Sequence, residues 1–303
     1  MKKITKAVIT AAGLGTRMLP IAKSVSKVML PIVDKPAIQY QVEEASKSGI
    51  TDILIIIGRD NLIENHFDYS PEYELALKSK QNGEQILKNL TGIADLANIH
   101  YIRQKEHKGL GHAVLCAKSF VGDDNFMVIY GDDIIIGETP TSRQLIDTYE
   151  KYGGEVCVAG VKKVEPDKLR MYCSLDVDAI KGSDDEFNIY DMNEKPNKPE
   201  EVFSDYAILG RVLLTPEIFD ILENQEKGAN SEIQLTDSMK TLVKKVQRNT
   251  GADPKMIARV FEGERHDMGS KFGFLRANII EGMKHPETGE ALRAFLKEFA
   301  AEL

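Results

Sequence analysis

Lys6 to Pro36 reads KAVIT, then AAGLGTRMLP, then IAKSVSKVMLPIVDKP. Ala7-Val8-Ile9-Thr10 is a short apolar run with β-branched residues, which predicts a buried strand. Ala11 and Ala12 follow, then Gly13 and Gly15. The chain therefore turns with almost no side-chain bulk, and its backbone N–H groups can approach an anion closely. Arg17 supplies a fixed fork of donors suited to phosphate, and Lys23 and Lys27 add two further positive charges. A bare strand, a glycine turn and three cations in one stretch suit a nucleoside triphosphate. The bland alternative is a tight strand-to-helix connection in any α/β protein. Neither G-x-x-x-x-G-K-[ST] nor G-x-G-x-x-G with an acidic residue after the second strand is present.

Outward from that stretch, Pro36 to Gly49 predicts a helix with Ile38, Val42 and Ala45 on one face and Gly49 closing it. Ile53 to Ile57 is continuously apolar and predicts a central parallel strand, with Gly58-Arg59-Asp60 as its turn. Strand, helix, strand makes a βαβ unit, and ligands of such sheets bind beyond the carboxyl ends of the strands. Gly13, Arg17 and Gly58 then share one rim. Asn61 to Ala97 reads as helices, a flap or an oligomer contact, packed down by Phe67, Tyr69 and Tyr73.

Ile99 to Ile102 is a short strand ending at Gln104, and Gly109-Leu110-Gly111-His112 leads into a helix. The Gln104 amide suits the edge of a pyrimidine, or is a surface glutamine; the glycines let a base lie on backbone, or merely open the helix. Phe126 to Tyr130 is another strand, ended by Gly131-Asp132-Asp133. Two carboxylates there are hard ligands for Mg²⁺ or simply turn residues, and spacing does not separate the two readings. Thr141 to Tyr152 predicts a helix with Leu145, Ile146 and Tyr149 inward, and Val156 to Val161 a strand. Glu194-Lys195 would ordinarily be a solvated pair, here stiffened by Pro196. Ala207 to Arg211 is a strand, and Thr215-Pro216 opens a helix with Thr as its cap. Phe272 to Leu303 is amphipathic and helical, with apolar residues suited to a subunit interface.

The chain has 303 residues, 42% hydrophobic and 28% charged, which is ordinary for a soluble protein able to bury a large core. A formal charge of −8 argues against nucleic acid as a partner. Cys116, Cys157 and Cys173 are odd in number and lack metal spacing, which suggests free thiols in the cytoplasm. Gly13 and Arg17 interrupt any N-terminal signal core, and no apolar run approaches the ~18 residues of a membrane span.

Gly13-Leu14-Gly15-Thr16-Arg17, Lys27, Leu30-Pro31, Lys35-Pro36, GLGHAVLCAK, GDD, EKP and EIQLTD together resemble the sugar-1-phosphate nucleotidyltransferases, with the closest match to the bacterial UTP–glucose-1-phosphate uridylyltransferases. The resemblance runs from about Lys3 to Phe299. It implies a single α/β domain over residues 1–303. This would be a Rossmann-like mixed, mostly parallel central sheet flanked by helices, with a small sugar-binding lobe and C-terminal helices. The nucleotide part would be about 1–160, the sugar part about 161–270 and the helices 271–303.

By the same resemblance Ala11, Ala12, Gly13, Gly15, Thr16, Gln104 and Gly109 seat the nucleotide, with Gln104 reading uracil. Arg17, Lys27 and Lys195 are catalytic, Lys195 by holding the sugar phosphate. Cys173, Glu194 and Gly210 line the sugar. Asp132 and Asp267 hold Mg²⁺, and Asp133 supports them. Asp237 either contacts ligand or caps a helix. The implied substrates are UTP and glucose 1-phosphate, and the implied assembly is a homodimer or homotetramer.

Three positions depart from the family pattern. Val28 stands where glutamate is usual, which bears on nucleotide choice. Met171-Tyr172-Cys173-Ser174 replaces Lys-Tyr-Gly-Ile, and a Cβ at Cys173 would clash near the sugar or force another φ/ψ. Ser270 stands where an acidic residue is more frequent. Val28 and Cys173 favour two alternatives: a silent paralogue that modulates an active homologue, and an enzyme with another nucleotide or sugar 1-phosphate.

Overall fold

Ala7, Val8 and Ile9 are fully buried. A strand apolar on both faces needs cover on both, and β1 (Lys6–Thr10) obtains it at the middle of a parallel group. The structure, a computed structural model, describes residues 1–59, 61–80, 82–228, 231–248 and 253–302. Asp60 and Leu303, expected in a turn and at the end of the last helix, lie outside the described residues.

A short ladder, β2 (Pro31–Ile32) with β3 (Lys35–Pro36), leads into α1 (Ala37–Lys47), which returns the chain to β4 (Asp52–Ile57). Helices α2 (Leu62–Phe67), α3 (Pro71–Leu77) and α4 (Gly83–Ala94) precede β5 (Asn98–Arg103). Then α5 (Leu110–Leu115) and α6 (Lys118–Val121) lead to β6 (Phe126–Tyr130). β4 pairs in parallel with β1 and β5, with Leu54 opposite Val8 and His100, and β6 pairs in parallel with the other side of β1, Val128 opposite Val8. The carboxyl ends of four strands therefore share one rim.

The second half adds β7 (Asp133–Ile136), α7 (Thr141–Lys151), β8 (Cys157–Lys163), β9 (Cys173–Ala179), β10 (Glu186–Glu194) and β11 (Tyr206–Leu214). It ends with α8 (Glu217–Glu223), α9 (Leu235–Val243), β12 (Met256–Val260), β13 (Glu264–Asp267), α10 (Lys271–Lys284) and α11 (Gly289–Ala301). One sheet runs β5-β4-β1-β6-β11-β8-β12-β10-β9. It is mixed, as expected, but not mostly parallel: of its eight neighbouring pairings four are parallel and four antiparallel, with β11 antiparallel to both β6 and β8. The strands of the expected sugar lobe, β9 and β10, extend this same sheet. Side chains alternate between two cores. Val8, Leu54, Ile56 and Val128 face one; Ala7, Ile9, Ile53, Ile55 and Ile129 face the other or its strand neighbours.

Several local expectations are corrected. Phe67 is buried, but Tyr69 and Tyr73 are exposed, and Tyr69 ties the segment only through its hydroxyl, which donates to Asp95 Oδ1 at 2.6 Å. Thr215 does not cap α8; its hydroxyl lies 3.8 Å from Cys157 Sγ, and Pro216 occupies the cap position. Asp237 is in the first turn of α9 rather than at its cap, where Gln234 sits. The last helix is two helices, because Pro286 follows His285 and cannot continue the α10 ladder. Among the described residues no helix is long and apolar enough to cross a membrane.

A buried ion pair ties the layers together. Arg211 on β11 donates from Nε to Glu44 Oε1 at 2.9 Å and from Nη2 to Glu44 Oε2 at 2.7 Å, while Nη1 donates to the Asp133 carbonyl at 2.9 Å. Glu44 Oε1 also accepts from the Ser142 backbone N–H at 2.9 Å and from its hydroxyl at 2.6 Å. The fork thus joins α1, α7, β11 and the start of β7. Removing one partner leaves a charge buried without its counter-ion. Glu44→Ala should therefore lower unfolding free energy by about 3–5 kcal/mol in a denaturant titration; an unchanged midpoint would show that the pair contributes nothing.

Candidate active site

β1 ends at Thr10, and the Ala11 N–H continues the ladder by donating to Ile56 O at 2.8 Å. Ala11 and Ala12 are buried, whereas Gly13, Thr16 and Arg17 are exposed on the rim. Gly15 has φ 62°, a conformation glycine adopts at little cost, and it starts the turn at Thr16–Met18. Lys27 lies across Gly13: a Cβ on that glycine would be 3.6 Å from Lys27 Cε. Lys27 Nζ continues to Asp132 Oδ2 at 2.5 Å, with Arg17 Nη2 3.9 Å from the same oxygen. Lys23 is exposed in the next turn.

β13 runs antiparallel to β7 with Asp267 opposite Asp133, and the Met268 N–H donates to Asp132 O at 2.9 Å. This ribbon brings Asp132 and Asp267 together. A Cβ on Gly269 would lie 2.6 Å from Arg17 Nη2, 2.7 Å from Asp132 Oδ2 and 3.0 Å from Asp267 Oδ1. Two carboxylates and the Arg17 guanidinium thus crowd this position, and any side chain on Gly269 would have to displace them. Burial alone would raise the Asp132 carboxyl, but the charge and hydrogen bond of Lys27, with Arg17 beyond, hold it below the usual carboxylate range. Burial pushes Asp133 up to about 6; Asp132 and Asp267 add to this and Arg265 opposes it. Asp133 Oδ1 accepts from Arg265 Nε at 2.7 Å. Gly210, expected at the sugar, has φ 78° and leaves the space that Asp133 fills, since a Cβ there would be 2.7 Å from Asp133 Cβ.

Arg265 reaches on toward the residues expected to line the sugar, donating from Nη1 to the Tyr172 hydroxyl at 3.1 Å. The Tyr172 carbonyl accepts from the Lys195 N–H at 2.9 Å, and Lys195 holds φ 50°. A non-glycine residue in that region costs of order 1–3 kcal/mol and clusters at functional sites. Lys195 Nζ is 3.4 Å from Glu194 Oε1, and Glu194 Oε2 accepts from the Thr236 hydroxyl at 2.9 Å. Thr236, in the EIQLTD stretch, is a site neighbour that sequence reasoning did not single out. Arg265 is another, and its only sequence signal was its place two residues before Asp267.

At Gln104, expected to read the base, the backbone N–H donates to Ile57 O at 3.0 Å, extending the β4–β5 pairing onto the rim. Gly109 has φ 104°, and a Cβ there would be 2.7 Å from Ile233 O. The Ile233 N–H donates to Lys108 O at 2.7 Å and the Gly111 N–H to Ile233 O at 2.8 Å, so EIQLTD closes over the glycine turn.

A nucleotidyl transferase family model matches residues 6–278. The chain is 50% identical over 298 residues to the UTP–glucose-1-phosphate uridylyltransferase YngB of Bacillus subtilis, covering 98% of this chain and 96% of that one. The chain belongs to the UTP–glucose-1-phosphate uridylyltransferases of the nucleotidyl transferase family. It is 47% identical over 299 residues to the uridylyltransferase of Staphylococcus epidermidis, covering 98% and 99% of the two chains. A UDP-glucose pyrophosphorylase complexed with UDP-glucose superposes with TM-score 0.82 at 36% identity, over 93% of this chain and 100% of that one. A UTP-bound UGPase from Acinetobacter baumannii gives 0.85 at 33%, over 98% and 99%.

Within this uridylyltransferase the three departures have structural explanations. Val28 is 0% exposed: Lys27 goes to the rim and Val28 turns into the core, its Cγ1 3.1 Å from where a Cβ on Gly131 would sit. Cys173 is 4% exposed, lacks the positive φ that a glycine would favour, and pairs with Glu194 in the β9–β10 ladder. The backbone is not forced into another φ/ψ region, and Sγ packs in the core and donates to Ser174 O at 3.6 Å. Burial pushes that thiol well above its ordinary pKa. Ser270 caps α10, its hydroxyl accepting from the Gly273 N–H at 3.1 Å. Glu264, His266 and Glu281 also bring metal-capable atoms within 4.8 Å of one another. Arg276 and Lys284 already hold both glutamates, so the group is an ion-pair network.

Gly269→Ala should cut nucleotidyl transfer by about a hundredfold, since a displacement near 1 Å at reacting groups has that effect, with little change in melting temperature. Pyrophosphate release and a thermal melt read the two; full activity would mean the Asp132–Asp267–Arg17 arrangement is not the one used.

Proposed function

We propose that this chain transfers the uridylyl group of UTP to glucose 1-phosphate, giving UDP-glucose and pyrophosphate. The observation that carries the reading is full-length identity of 47–50% to uridylyltransferases. Arg17, Lys27, Asp132, Glu194, Lys195 and Asp267 all survive in this chain. In this reading Ala11, Ala12, Gly13, Gly15, Thr16, Gln104 and Gly109 seat the nucleotide, and Lys195 and Glu194 hold the sugar phosphate and sugar hydroxyls.

A phosphate oxygen of the sugar phosphate attacks the α-phosphorus in line and the bond to pyrophosphate breaks. Positioning and charge neutralisation are the protein's share. Lys195 holds one anion while Arg17 and Lys27 draw charge from the other, which offsets their mutual repulsion. Asp132 and Asp267 suit a divalent cation by their chemistry: their oxygens are hard, and Oδ2 and Oδ1 both lie beside Gly269, together with Arg17 Nη2, which a bound cation would displace. Mg²⁺ held there would supply positive charge at the phosphates undergoing transfer. Because Lys27 Nζ sits on Asp132 Oδ2 in the structure, Lys27 must exchange that carboxylate for phosphate when substrates bind. The silent-paralogue reading rested on Val28 and Cys173, and both side chains lie in the core.

Free thiols at Cys116, Cys157 and Cys173 support a cytoplasmic setting. The C-terminal helices support self-association as a homodimer or homotetramer. Phe272, Leu275 and Ile279 lie exposed at three- and four-residue spacing on α10, and exposed Phe295 and Phe299 stack at 5.8 Å on α11.

Two measurements test this. Asp132→Asn should lower kcat about a hundredfold or more in Mg²⁺ while KM changes less; normal turnover would remove Asp132 from the chemistry. Leu275→Asp with Phe295→Asp should sediment as monomer where the wild type does not, and an unchanged sedimentation coefficient would rule out this face as the interface.

A further inference from the structure

We propose that His112 is a positioning residue that fixes the amide of Gln104, and so makes this site select a base bearing an imide N–H. The inference rests on the reading of Gln104 as the residue that meets the base.

The two ends of a glutamine amide have nearly the same shape and opposite hydrogen-bonding character, so something must choose which end faces the ligand. Here two acceptors choose. Gln104 Nε2 donates to the Gly109 carbonyl at 3.2 Å and to His112 Nδ1 at 3.0 Å. A carbonyl oxygen can only accept, so the amide cannot be turned round without setting oxygen against oxygen. With the NH₂ on that side, Nδ1 of His112 must be the bare nitrogen and Nε2 the protonated one. Burial, and then the charge of Lys108, lower the pKa of His112 against Glu106, which favours this neutral form at pH 7.

Both amide hydrogens are thus used inside the protein. Oε1 has no partner among the described residues and is not among the buried atoms left unpaired, so it keeps contact with solvent. Gln104 is otherwise 6% exposed and sits where β5 meets the rim, near Gly109. The free end of this side chain is therefore purely an acceptor. Uracil and thymine carry N–H at N3 and can donate to it; cytosine has a bare nitrogen there and would meet it acceptor to acceptor. Without the imidazole, one amide hydrogen loses its acceptor and the amide is held by Gly109 alone.

The test is steady-state kinetics with UTP and CTP at saturating glucose 1-phosphate, on the wild type, Gln104→Leu, His112→Leu and His112→Asn. The side-chain oxygen of Asn can replace Nδ1 as acceptor. We expect His112→Leu to lower the UTP-over-CTP preference in kcat/KM about tenfold, mainly through KM for UTP, and His112→Asn to restore most of it. If Gln104→Leu collapses the preference but His112→Leu keeps it while losing stability, His112 is only structural and the inference fails. If Gln104→Leu itself leaves the preference intact, the base-reading role of Gln104 falls, and this inference with it. Nitrogen-15 histidine spectra of the wild type give a check that needs no variant: the Nε2–H tautomer at His112 is expected, and the Nδ1–H tautomer would overturn the proposal.

Discussion

Asp133 and Asp267 face each other where β7 and β13 pair, Asp132 directly precedes β7, and the rest of the site is arranged around that negative charge. The negative charges of Asp132 and Asp267 add to the burial that raises Asp133, and cations of different kinds offset them. Lys27 and Arg17 approach Asp132 from the rim, on the short turns that follow β1. Arg265 and Arg211 approach from the protein side, the first on the Asp133 carboxylate and the second on its carbonyl. The two sets differ in exposure: Arg17 lies open on the rim and Arg211 is fully buried. Cations on the rim can exchange carboxylate for phosphate, while the fork of Arg211, locked to Glu44 without solvent, cannot leave. It holds the backbone from which Asp132 projects.

The parallel half of the fold was legible because its signals are local. A β-branched run followed by Ala-Ala-Gly, and ILIII closed by glycine, each specify strand and turn within a few residues. The order of the remaining strands was not legible, since β11 inserts between β6 and β8 through pairings that no short window contains. The same limit explains the site. Asp132 and Gln104 stand at strand ends visible in sequence, whereas the meeting of Asp132 with Asp267, and of Arg265 with Tyr172, depends on a ribbon closed by distant segments. The directions of the Val28 and Cys173 side chains were not legible for a related reason. Pattern comparison gives the residue at a position but not the direction of its side chain, and both point inward.

The proposed sugar and metal sides are joined by a chain of direct contacts. Arg265 bonds Asp133 with one part of its fork and Tyr172 with another, and its guanidinium lies 5.1 Å from the Tyr172 ring centroid. The Tyr172 carbonyl then takes the Lys195 N–H. Lys195, at φ 50° before Pro196, is held in a backbone state that it would not adopt alone. A planar fork fits here where a lysine would not, because one group must bond a carboxylate and a phenol at fixed angles. Two phosphates that repel each other can be brought into line only if the groups holding them do not yield. The stiffness of this link, from the Asp133 carboxylate to the Lys195 backbone, is what would let binding energy at the sugar act on geometry at the reacting phosphorus.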